Sequence, residues 1–374
     1  MATCLYSLLS SLKNAHIKNF EIILVDNAST DESVNLFSRL TQTYTSSVIL
    51  NKKNHGFAQA INQGVNKAKH KYIVVCNNDI KLHKDWFTNI KKNILLKPYY
   101  STYFGLVLSQ DGTKIESLGL RYYWKGKAKN IGNKLSTRIG NKSNPIISKK
   151  PKTIWGASAS LVVYKKDIFQ KLSGFDNDFF AYEEDVDLAL RLKHLDYKTL
   201  FIPQSISYHI GGATSSKMGN FRNMMDAKNW IYIIIKNYSL GQFIKYLPKI
   251  IEERLRNLSG LIKQTIKIYG FKSIWILPVS LIKTYGQVLL NTPKMLQKRR
   301  PQSKFNQYLV TVTFIFFLLL SVYYLFKLTD LNIITIHIRR SYYPNRYIGA
   351  IFENKLTASI QRTFQFISSS LKFY

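Results

Sequence analysis

Between residues 20 and 79, apolar runs of strand length alternate with helical segments, and this alternation restricts the possible folds more than any other feature of the chain. The segments are FEIILVDN (20–27), ASTDESVNLFSRL (28–40), SVIL (47–50), GFAQAINQGVNKAK (56–69) and KYIVVCNND (71–79). The first, third and fifth predict strands, and the other two predict helices. Strands that alternate with helices form mainly parallel sheets with helices on their faces. Ligands of such sheets bind beyond the carboxyl ends of the strands, where we expect Asp26 and Asp79.

Ser29 and Glu32 have the spacing of a capping box, so we expect the helix after the first strand to begin at residue 29. Residues 125–152 are rich in Gly, Asn, Ser and Lys and have no regular period, which predicts a loop. The segments that follow are TIWGASASLVVY (153–164), a predicted strand, KKDIFQKL (165–172), a predicted short helix, and EEDVDLALRLKHL (183–195), a predicted helix.

The stretch FFAYEEDVDLALRL (179–192) holds an unusual concentration of acids. The chain carries 54 Lys and Arg against 21 Asp and Glu, a formal net charge of +33. Six of the 21 acids nevertheless lie between residues 176 and 187, and the densest group is Glu183, Glu184, Asp185 and Asp187. The helix macrodipole stabilises acids in a first turn by about 0.3 to 1 kcal/mol each. Capping explains one or two acids, but like charges this close raise one another's pKa unless a cation or a catalytic role compensates.

The C-terminal part of the chain combines positive charge with long apolar segments. Residues 235–374 carry 21 Lys and Arg and 4 acids. Residues 305–326 contain no charge, and about 20 such residues suffice to cross a bilayer. We expect a membrane span here, with a buried helix as the alternative. Residues 229–304 are basic and aromatic, and we expect amphipathic helices that lie against an anionic membrane surface.

Two cysteines, Cys4 and Cys76, cannot build a disulfide framework, and no apolar leader opens the chain. We therefore expect the main domain to be reduced and cytosolic. Excess positive charge attracts nucleic acid, anionic lipid or phosphorylated substrates. Because the chain has no nucleic-acid recognition motif, and lipid and diphosphate explain the charge equally well, we expect no nucleic-acid partner.

Four blocks follow one another between about Cys4 and Gly212. They are VDNASTDES, NHGFAQAINQG, VVCNNDI, and WGASASLVVY with GFDNDFFAYEEDVDLALRL and YHIGG. In this order they resemble the family 2 glycosyltransferases, inverting enzymes of the GT-A fold, and particularly their rhamnosyltransferase-like branch. The resemblance implies an α/β fold over residues 1–228, a GT-A (Rossmann-like) mixed, mainly parallel sheet with flanking helices. Membrane-associating helices (229–304), a transmembrane helix (305–326) and a tail of unknown role (327–374) would follow.

In the family that the chain resembles, the first two blocks bind the nucleotide. The resemblance implies that Asp26 contacts the nucleobase. A helix-capping role is the alternative for Asp26. The side chains implied for the nucleoside pocket are Asn54, Gly56, Phe57 and Asn62. Gly56 would also permit a close backbone approach near a helix N-terminus, where anions bind.

Asn77, Asn78 and Asp79 stand where the family has its DxD motif, although only one carboxylate is present in this triplet. The resemblance assigns Asn78 to the nucleotide, and Asp79 with His209 to a Mg²⁺ or Mn²⁺ ion. Such an ion balances the charge that develops on a nucleoside diphosphate leaving group. A strand-ending turn is the alternative for the triplet, and a structural histidine is the alternative for His209.

The acidic stretch matches the family's ED motif. The resemblance makes Asp185 the general base that removes the proton of the acceptor hydroxyl as it attacks the anomeric carbon opposite the leaving group. Glu183 and Glu184 would bind the acceptor or tune the base. Trp155 would form the aromatic floor of the donor or acceptor pocket. A helix of solvated acids and a core tryptophan are the alternatives.

One departure from the family concerns its first strand. In the family an apolar strand precedes the helix that here begins CLYSLLSS, but only three residues, Met1 to Thr3, precede that helix here. That strand is central in the doubly wound order, so we expect a split sheet with exposed backbone groups. An upstream start, another segment in the gap and an inactive copy are three open explanations.

The resemblance therefore implies a metal-dependent hexosyl- or rhamnosyl-transferring enzyme. Its donor would be a nucleotide-diphosphate sugar, and its acceptor a lipid-linked or cell-surface glycan. The catalytic domain would be cytoplasmic, on a single-pass protein of the cell membrane. The alternative is a catalytically inactive GT-A-like scaffold or binding subunit of a glycan-assembly complex.

Overall fold

The structure is a computed structural model, and it describes residues 1–139, 142–143, 147, 150–210 and 220–299. The chain divides into two compact units, Met1–Thr311 and Val312–Tyr374. All the described residues belong to the first unit. The predicted span at 305–326 and the tail at 327–374 lie outside the described residues.

The helices of the described residues are α1 (Ala2–Asn14), α2 (Ser33–Thr41), α3 (Phe57–Lys67), α4 (Trp86–Leu96), α5 (Lys166–Lys171), α6 (Glu184–His194), α7 (Phe221–Asn237), α8 (Leu240–Tyr269) and α9 (Ser273–Gln297). The strands are β1 (Ile22–Asp26), β2 (Ser46–Leu50), β3 (Tyr72–Cys76), β4 (Ile80–Leu82), β5 (Thr102–Ser109), β6 (Ile115–Ser117), β7 (Leu120–Tyr123), β8 (Lys127–Asn130), β9 (Arg138–Ile139), β10 (Lys142–Ser143), β11 (Lys152–Ile154), β12 (Leu161–Lys165) and β13 (Thr199–His209). Short 3₁₀ turns occupy Asn177–Phe179 and Gly270–Lys272.

A mixed seven-stranded sheet forms the centre of the domain. Its strands follow the order β11-β13-β5-β12-β3, with β4 paired to β13 and β6 paired to β5. β5 and β13 are parallel, whereas β12 runs antiparallel to both of its neighbours. The mixed α/β sheet with flanking helices is therefore confirmed. The sheet is less parallel than the alternation of segments predicts, because β12 enters between β3 and β5 from the opposite direction.

β1 and β2 form a separate parallel pair. Among the described strands, β1 pairs with β2 alone and β3 pairs with β12 alone, so each keeps one free edge. Ile22–Val25 and Tyr72–Cys76 both line one cavity of about 1810 Å³. Val74, in the middle of β3, is consequently 37% exposed. The sheet is thus split between β1 and β3, as the departure from the family's pattern leads us to expect.

Alternate residues of the central strands point into two different apolar layers. Phe104 on β5 and Val162 on β12 pack with α3 and α6 through side chains such as Ala58 and Leu188. The neighbouring residues Tyr103 and Val163 face the opposite layer, together with side chains of α1 and α4. The helices thereby bury both faces of the sheet and leave the strand ends for a site.

Three local predictions are wrong. Helix α2 begins at Ser33 instead of residue 29, because the backbone N–H of Ser29 donates to the carboxylate of Asp26 at 3.0 Å. The predicted strand at 153–164 is two strands, β11 and β12, that pair with different neighbours. The predicted loop at 125–152 contains the short strands β8, β9 and β10.

Helices α7, α8 and α9 pack together at the C-terminal end of the described chain. α7 is buried along most of its length and runs through the predicted domain boundary between 228 and 229. Among the described residues, one helical stretch, Leu240–Gln297, is long and apolar enough to cross a membrane, by length and composition only. The 3₁₀ turn at Gly270–Lys272 interrupts it between α8 and α9.

Candidate active site

One cavity collects most of the predicted site residues. Those that line it are Asn54, Gly56, Phe57, Asn78, Asp79, Glu183, Glu184, Asp185 and His209. The same cavity extends into the gap between β1 and β3. The fold therefore brings together segments that are more than 150 residues apart in sequence.

Asp185 lies in the first turn of α6, where two backbone amides hold its carboxylate. Ala159 donates to Oδ2 at 3.1 Å, and Val186 donates to Oδ1 at 2.8 Å. Burial raises the pKa of Asp185, and the two hydrogen bonds oppose this rise because they favour the charged form. A carboxylate in a fixed orientation, with a pKa shifted toward neutrality, is suited to general base catalysis.

Glu183 and Glu184 lie beside Asp185 and bind their protons more tightly than exposed glutamates. Burial and the negative charges of Asp226 and Asp185 raise the pKa of Glu183 well above its usual value. Burial and Asp185 do the same to the pKa of Glu184, whose Oε2 has no hydrogen-bond partner among the described residues. A carboxyl that keeps its proton donates a hydrogen bond, so these two side chains differ in chemistry from Asp185.

Asp187 has a structural role, although it belongs to the same acidic stretch. Its fully buried carboxylate binds Arg191 and Lys236, each at 2.8 Å, and Asn237 at 3.2 Å. Burial acts to raise the pKa of Asp187, but the two cations hold it well below its ordinary value.

Asp176 and Asp178 are likewise paired, with the lysines Lys236, Lys294 and Lys298 from α7 and the C-terminal end of α9. The concentration of acids thus serves both the cavity and an ion-pair network behind it.

The residues just before α6 adopt a backbone conformation that non-glycine residues rarely use. Phe180, Tyr182 and Glu183 have φ angles of +65°, +69° and +67°. The Nδ2 group of Asn229, a fully buried side chain on α7, donates to the carbonyls of Phe179, Ala181 and Tyr182 at 3.1, 2.9 and 2.7 Å. Left-handed non-glycine conformations cost on the order of 1 to 3 kcal/mol each and persist only where the surroundings impose them. Asn229 supplies such a restraint.

The sequence pattern gave no indication of this role for Asn229. It lies about 50 residues from the carbonyls that it binds, in a segment that composition assigns to membrane-associating helices. Its position directly before the apolar run WIYIII (230–235) is typical of a buried segment, but it does not specify what the asparagine binds.

Gly56 joins the N-terminus of α3 to the acidic stretch. Its φ angle is +85°, and a Cβ atom there would approach the carbonyl oxygen of Phe180 to 2.5 Å. That same carbonyl accepts a hydrogen bond from the N–H of Ala58 at 3.2 Å, and Asn54 Oδ1 accepts from the N–H of Gly56 at 2.8 Å. The glycine is therefore required for the approach of the two segments, which together form one wall of the cavity.

Three predicted site residues do not line the cavity. Asp26 is 8% exposed and accepts the hydrogen bond from Ser29. Asn62 donates to the carbonyl of Phe175 at 2.7 Å and accepts from its N–H at 3.0 Å, which ties α3 to the segment before α6. Trp155 stacks on Tyr122 with ring centroids 5.1 Å apart. The ligand-binding roles of these three residues remain predictions.

Asp79 and His209 are neighbours at the ends of paired segments. His209 Nε2 lies 3.1 Å from Asp79 Oδ2, and His209 Nδ1 lies 2.7 Å from Oε2 of Glu116 on β6. Hydrogen bonds to Asp79 and Glu116 raise the pKa of His209 to about 10, and the His209 contact lowers the pKa of Asp79. Sequence reasoning missed Glu116, which is 93 residues from its partner and belongs to no recognised motif.

The Asp79–His209 pair fits one side of a divalent cation site. Within the described ranges, no group of three or more His, Cys, Asp and Glu side chains is arranged to hold a metal ion. However, Oδ1 of Asp79 is buried and has no hydrogen-bond partner among the described residues. A desolvated carboxylate oxygen is a ligand of the type that Mg²⁺ and Mn²⁺ prefer, and such ions commonly take one or two protein carboxylates together with substrate phosphates.

Two family models match the chain. The model described as glycosyl transferase family 2 matches residues 2–172, and the model described as glycosyl transferase family group 2 matches residues 146–343, which is more than half of the chain.

Several solved structures match the chain at low sequence identity and low TM-score. The match to GalNAc-T7 with UDP, GalNAc and Mn²⁺ has 17% identity and a TM-score of 0.44, and covers 57% of this chain and 41% of that chain. The match to the mannosyltransferase PcManGT from Pyrobaculum calidifontis in complex with GDP-Man and Mn²⁺ has 13% identity and a TM-score of 0.42, and covers 78% of this chain and 83% of that one. S. aureus TarS 1–349 matches with 13% identity and a TM-score of 0.46 over 78% of each chain. The chain thus spans less than half the length of GalNAc-T7.

Proposed function

The protein is a member of the family 2 glycosyltransferases, and from this membership we propose that it transfers a hexosyl or rhamnosyl group, with inversion, from a nucleotide-diphosphate sugar. The acceptor that we propose is a lipid-linked or cell-surface glycan. The observation that carries the proposal is the single cavity lined by Asp185, by the Asp79–His209 pair and by the Asn54–Phe57 segment. A base, a cation site and a nucleotide-binding wall are the three parts that such a reaction needs.

Asp185 is the proposed general base. The two amides on its carboxylate keep it oriented, and its raised pKa brings it closer to the pH at which it must accept a proton. It takes the proton of the acceptor hydroxyl while that oxygen forms a bond to the anomeric carbon. The bond from that carbon to the diphosphate breaks on the opposite face, so the configuration inverts.

Residues on both sides of the gap hold the donor in this proposal. The nucleoside would lie against Asn54, Gly56 and Phe57 and the diphosphate against Asn78, and all four residues line the cavity. Asp26 would contact the nucleobase from the end of β1, and Asn62 would support that wall through its bonds to Phe175.

Asp79 and His209 would hold a Mg²⁺ or Mn²⁺ ion, and Glu116 would orient the imidazole. When bound, the cation supplies positive charge to the oxygens of the departing diphosphate. His209 must release a proton before it can act as a ligand, because its imidazole is held in the charged form by two carboxylates.

Glu183 and Glu184 are proposed to contact the acceptor. Both line the cavity beside Asp185, and burial raises the pKa of both, which favours a protonated carboxyl that can donate to an acceptor oxygen. Trp155 would contribute through the aromatic stack that it forms with Tyr122.

We place the catalytic domain on the cytoplasmic side of the cell membrane. The support is sequence: an uncharged run at 305–326, a basic cluster on its N-terminal side, and two cysteines in a framework that does not need them oxidised. Deletion of 305–374 is expected to release the protein from membranes, and persistent sedimentation with them would show that this run is not the sole anchor.

Calorimetric titration with UDP, dTDP and GDP, each with and without Mn²⁺, tests the proposed function. The variants are Asp79→Ala and, as a control, Asp167→Ala, whose exposed carboxylate lies on α5 and does not line the cavity. Metal-dependent binding that survives in the control and is lost in Asp79→Ala supports the proposal. The nucleotide that binds most tightly identifies the nucleobase of the donor. Absence of binding by the wild-type protein with every nucleotide contradicts it.

The second candidate is an inactive GT-A-like scaffold or binding subunit. The observation that favours it is the split between β1 and β3, which, among the described strands, leaves a free strand edge on each side of the cavity. Metal-dependent hydrolysis or transfer of a nucleotide sugar by the purified chain excludes this candidate, whereas nucleotide binding without turnover of any donor favours it.

A further inference from the structure

Helices α8 and α9 and the turn at Gly270–Lys272 form a helical hairpin. From residue 261 onward, many polar side chains of this hairpin are buried and many large apolar side chains are exposed. Nine residues between 261 and 295 are buried, and five of these carry hydroxyl groups: Thr265, Ser273, Ser280, Thr284 and Thr292. Nine large apolar residues of the same region are exposed: Ile266, Ile268, Phe271, Ile274, Trp275, Val279, Ile282, Leu289 and Leu290. A helix of a water-soluble protein normally places its large apolar side chains inside and its polar side chains outside.

The three buried threonines donate their hydroxyls to carbonyls of their own helices. Thr265 donates to the carbonyl of Leu261, Thr284 to that of Ser280, and Thr292 to that of Val288, each at 2.7 Å. Small and hydroxyl-bearing residues at helix–helix contacts, with large apolar residues outside, are the pattern of helices packed in lipid. Close approach of the helices drives their packing there, because lipid tails are as apolar as leucine.

The exposed apolar residues form a continuous stripe. On α9, Trp275, Val279, Ile282 and Leu289 recur at helical spacing, so they share one face. Phe271, in the turn that joins the two helices, is 73% exposed, and Leu290 is 82% exposed. Scattered apolar residues on a surface need no explanation, but a contiguous stripe marks a site of contact with a partner or with lipid.

The charges on this part of the hairpin select lipid as the partner. Glu253 is the last acid before the end of the described chain, and the exposed charges around the stripe are the lysines Lys263, Lys267, Lys272 and Lys283. Lysine side chains reach from an apolar surface to anionic headgroups. Four lysines are too many for a helix pair that crosses a bilayer, and they suit one that lies in its interface.

We propose that the outer face of α8 and α9 between Ile266 and Leu290 inserts into the headgroup–acyl boundary of an anionic bilayer, with the turn at Gly270–Lys272 at its tip. The proposal deepens the membrane association proposed above, but it requires neither sugar transfer nor the segment 305–326. It places the lipid contact on two helices that pack against α7.

That packing links the membrane contact to the active site. α7 packs against both helices of the hairpin, and Asn229 on α7 binds the carbonyls before α6. At the other end of α9, Lys294 and Lys298 pair with Asp178 at 2.6 Å. The hairpin therefore holds the cavity at a fixed distance from the lipid surface, close to where a lipid-linked acceptor would present its head.

Quenching of tryptophan by brominated lipid tests the contact in the full chain. The protein is reconstituted into liposomes of phosphatidylglycerol and phosphatidylcholine, with and without bromine on the acyl chains. Three proteins are compared: Trp275→Phe, Trp275→Phe with Phe271→Trp, and Trp275→Phe with Tyr99→Trp. Tyr99 is a matched control, because it is 66% exposed but lies on the catalytic domain.

The proposal expects brominated lipid to quench the indole introduced at Phe271 and to leave the one introduced at Tyr99 unaffected. It also expects wild-type protein to lose more emission to brominated lipid than Trp275→Phe does. Equal, weak quenching at both positions overturns the proposal. If the introduced indole at Phe271 is unquenched and its emission is blue-shifted, the stripe is covered by a second copy or another protein, which also overturns it.

Two further measurements keep the outcome independent of folding and of catalysis. The wild-type comparison with Trp275→Phe needs no new side chain in the turn, so it stands if Phe271→Trp fails to fold. Replacement of the four exposed lysines by Gln is expected to reduce quenching in phosphatidylglycerol toward the level in phosphatidylcholine alone. Unchanged quenching in that variant contradicts the anionic part of the proposal. None of these readouts depends on turnover, so nucleotide binding can fail while the lipid contact is confirmed.

Discussion

The backbone N–H of Ala159 donates a 3.1 Å hydrogen bond to Oδ2 of Asp185, across 26 residues of sequence. The donor belongs to the small-residue segment between β11 and β12, and the acceptor lies in the first turn of α6. The bond fixes the carboxylate relative to the sheet as well as to its own helix. A proton acceptor placed in this way requires little reorganisation when a substrate arrives.

Asp185→Asn is expected to lower the transfer rate by about 10² to 10⁴ and to leave donor binding unchanged. The amide keeps the size of the side chain but cannot accept the proton. Steady-state turnover and nucleotide titration are measured side by side. Asp196→Asn is the matched control, since Asp196 is exposed just beyond the C-terminal end of the same helix. Wild-type turnover by Asp185→Asn would end the assignment of the base.

Asn229→Asp is expected to impair both stability and turnover. The new carboxylate places negative charge against three carbonyl oxygens in a buried site, and an unsatisfied buried polar group costs about 1 to 3 kcal/mol. Urea unfolding gives the change in the free energy of unfolding, and turnover at a permissive temperature gives the effect on the site. Asn223→Asp, on the same helix but partly exposed, serves as the control. Equal stability and equal turnover of the two variants would show that residues 179–183 hold their conformation without Asn229.

Asp187→Asn is expected to destabilise the fold by about 3 to 5 kcal/mol, because it leaves the cations Arg191 and Lys236 without their buried partner. The folded-state pKa of Asp187 is depressed, so its contribution is fully present above the ordinary value of 3.8 and is lost as the pH falls through the lower folded-state value. The difference in unfolding free energy between wild type and variant should therefore shrink only below about pH 4. A difference that is constant down to pH 2 would contradict the ion-pair assignment.

The ion pairs of His209 with Asp79 and Glu116 are expected to stabilise the metal-free protein from acid pH up to mildly alkaline pH. The folded-state pKa is about 10 against an ordinary 6.5, so the contribution is fully present below 6.5 and is lost as the pH rises through about 10. Melting temperatures of wild type and His209→Gln across this range measure it. The two curves should approach each other toward pH 10; parallel curves would show that the imidazole is not held in its charged form. Added Mn²⁺ should compete with this proton and bind more tightly as the pH rises.

Local patterns in the sequence were sufficient for the elements that carry the first three blocks. The runs at 20–27, 47–50 and 71–79 became β1, β2 and β3, and the segment at 56–69 became α3. Each of these segments has a pattern clear enough to predict a strand or a helix without knowledge of its neighbours in the fold. Family resemblance then selected Asp79, Asp185 and His209, which share one cavity.

Relationships that cross the fold were not visible in the sequence. The start of α2 was misplaced because the carboxylate of Asp26, at the end of the preceding strand, captures the N–H of Ser29. The antiparallel direction of β12 depends on its pairing with β3 and β5. No pattern within its five residues predicts that pairing. Glu116 and Asn229 act on partners 93 and about 50 residues away, so only the folded chain reveals their roles.

The free edges of β1 and β3 have a consequence for proton exchange with solvent. In an unbroken sheet the amides of central strands exchange last, because the ladder on each side must open first. Here alternate amides of β1 and β3 point away from their single neighbours and toward the cavity. In deuterated water, each of these two strands should show two interleaved exchange rates, one slow and one fast. A segment inserted between them would make both rates slow, so the exchange pattern reports directly on whether the gap is filled.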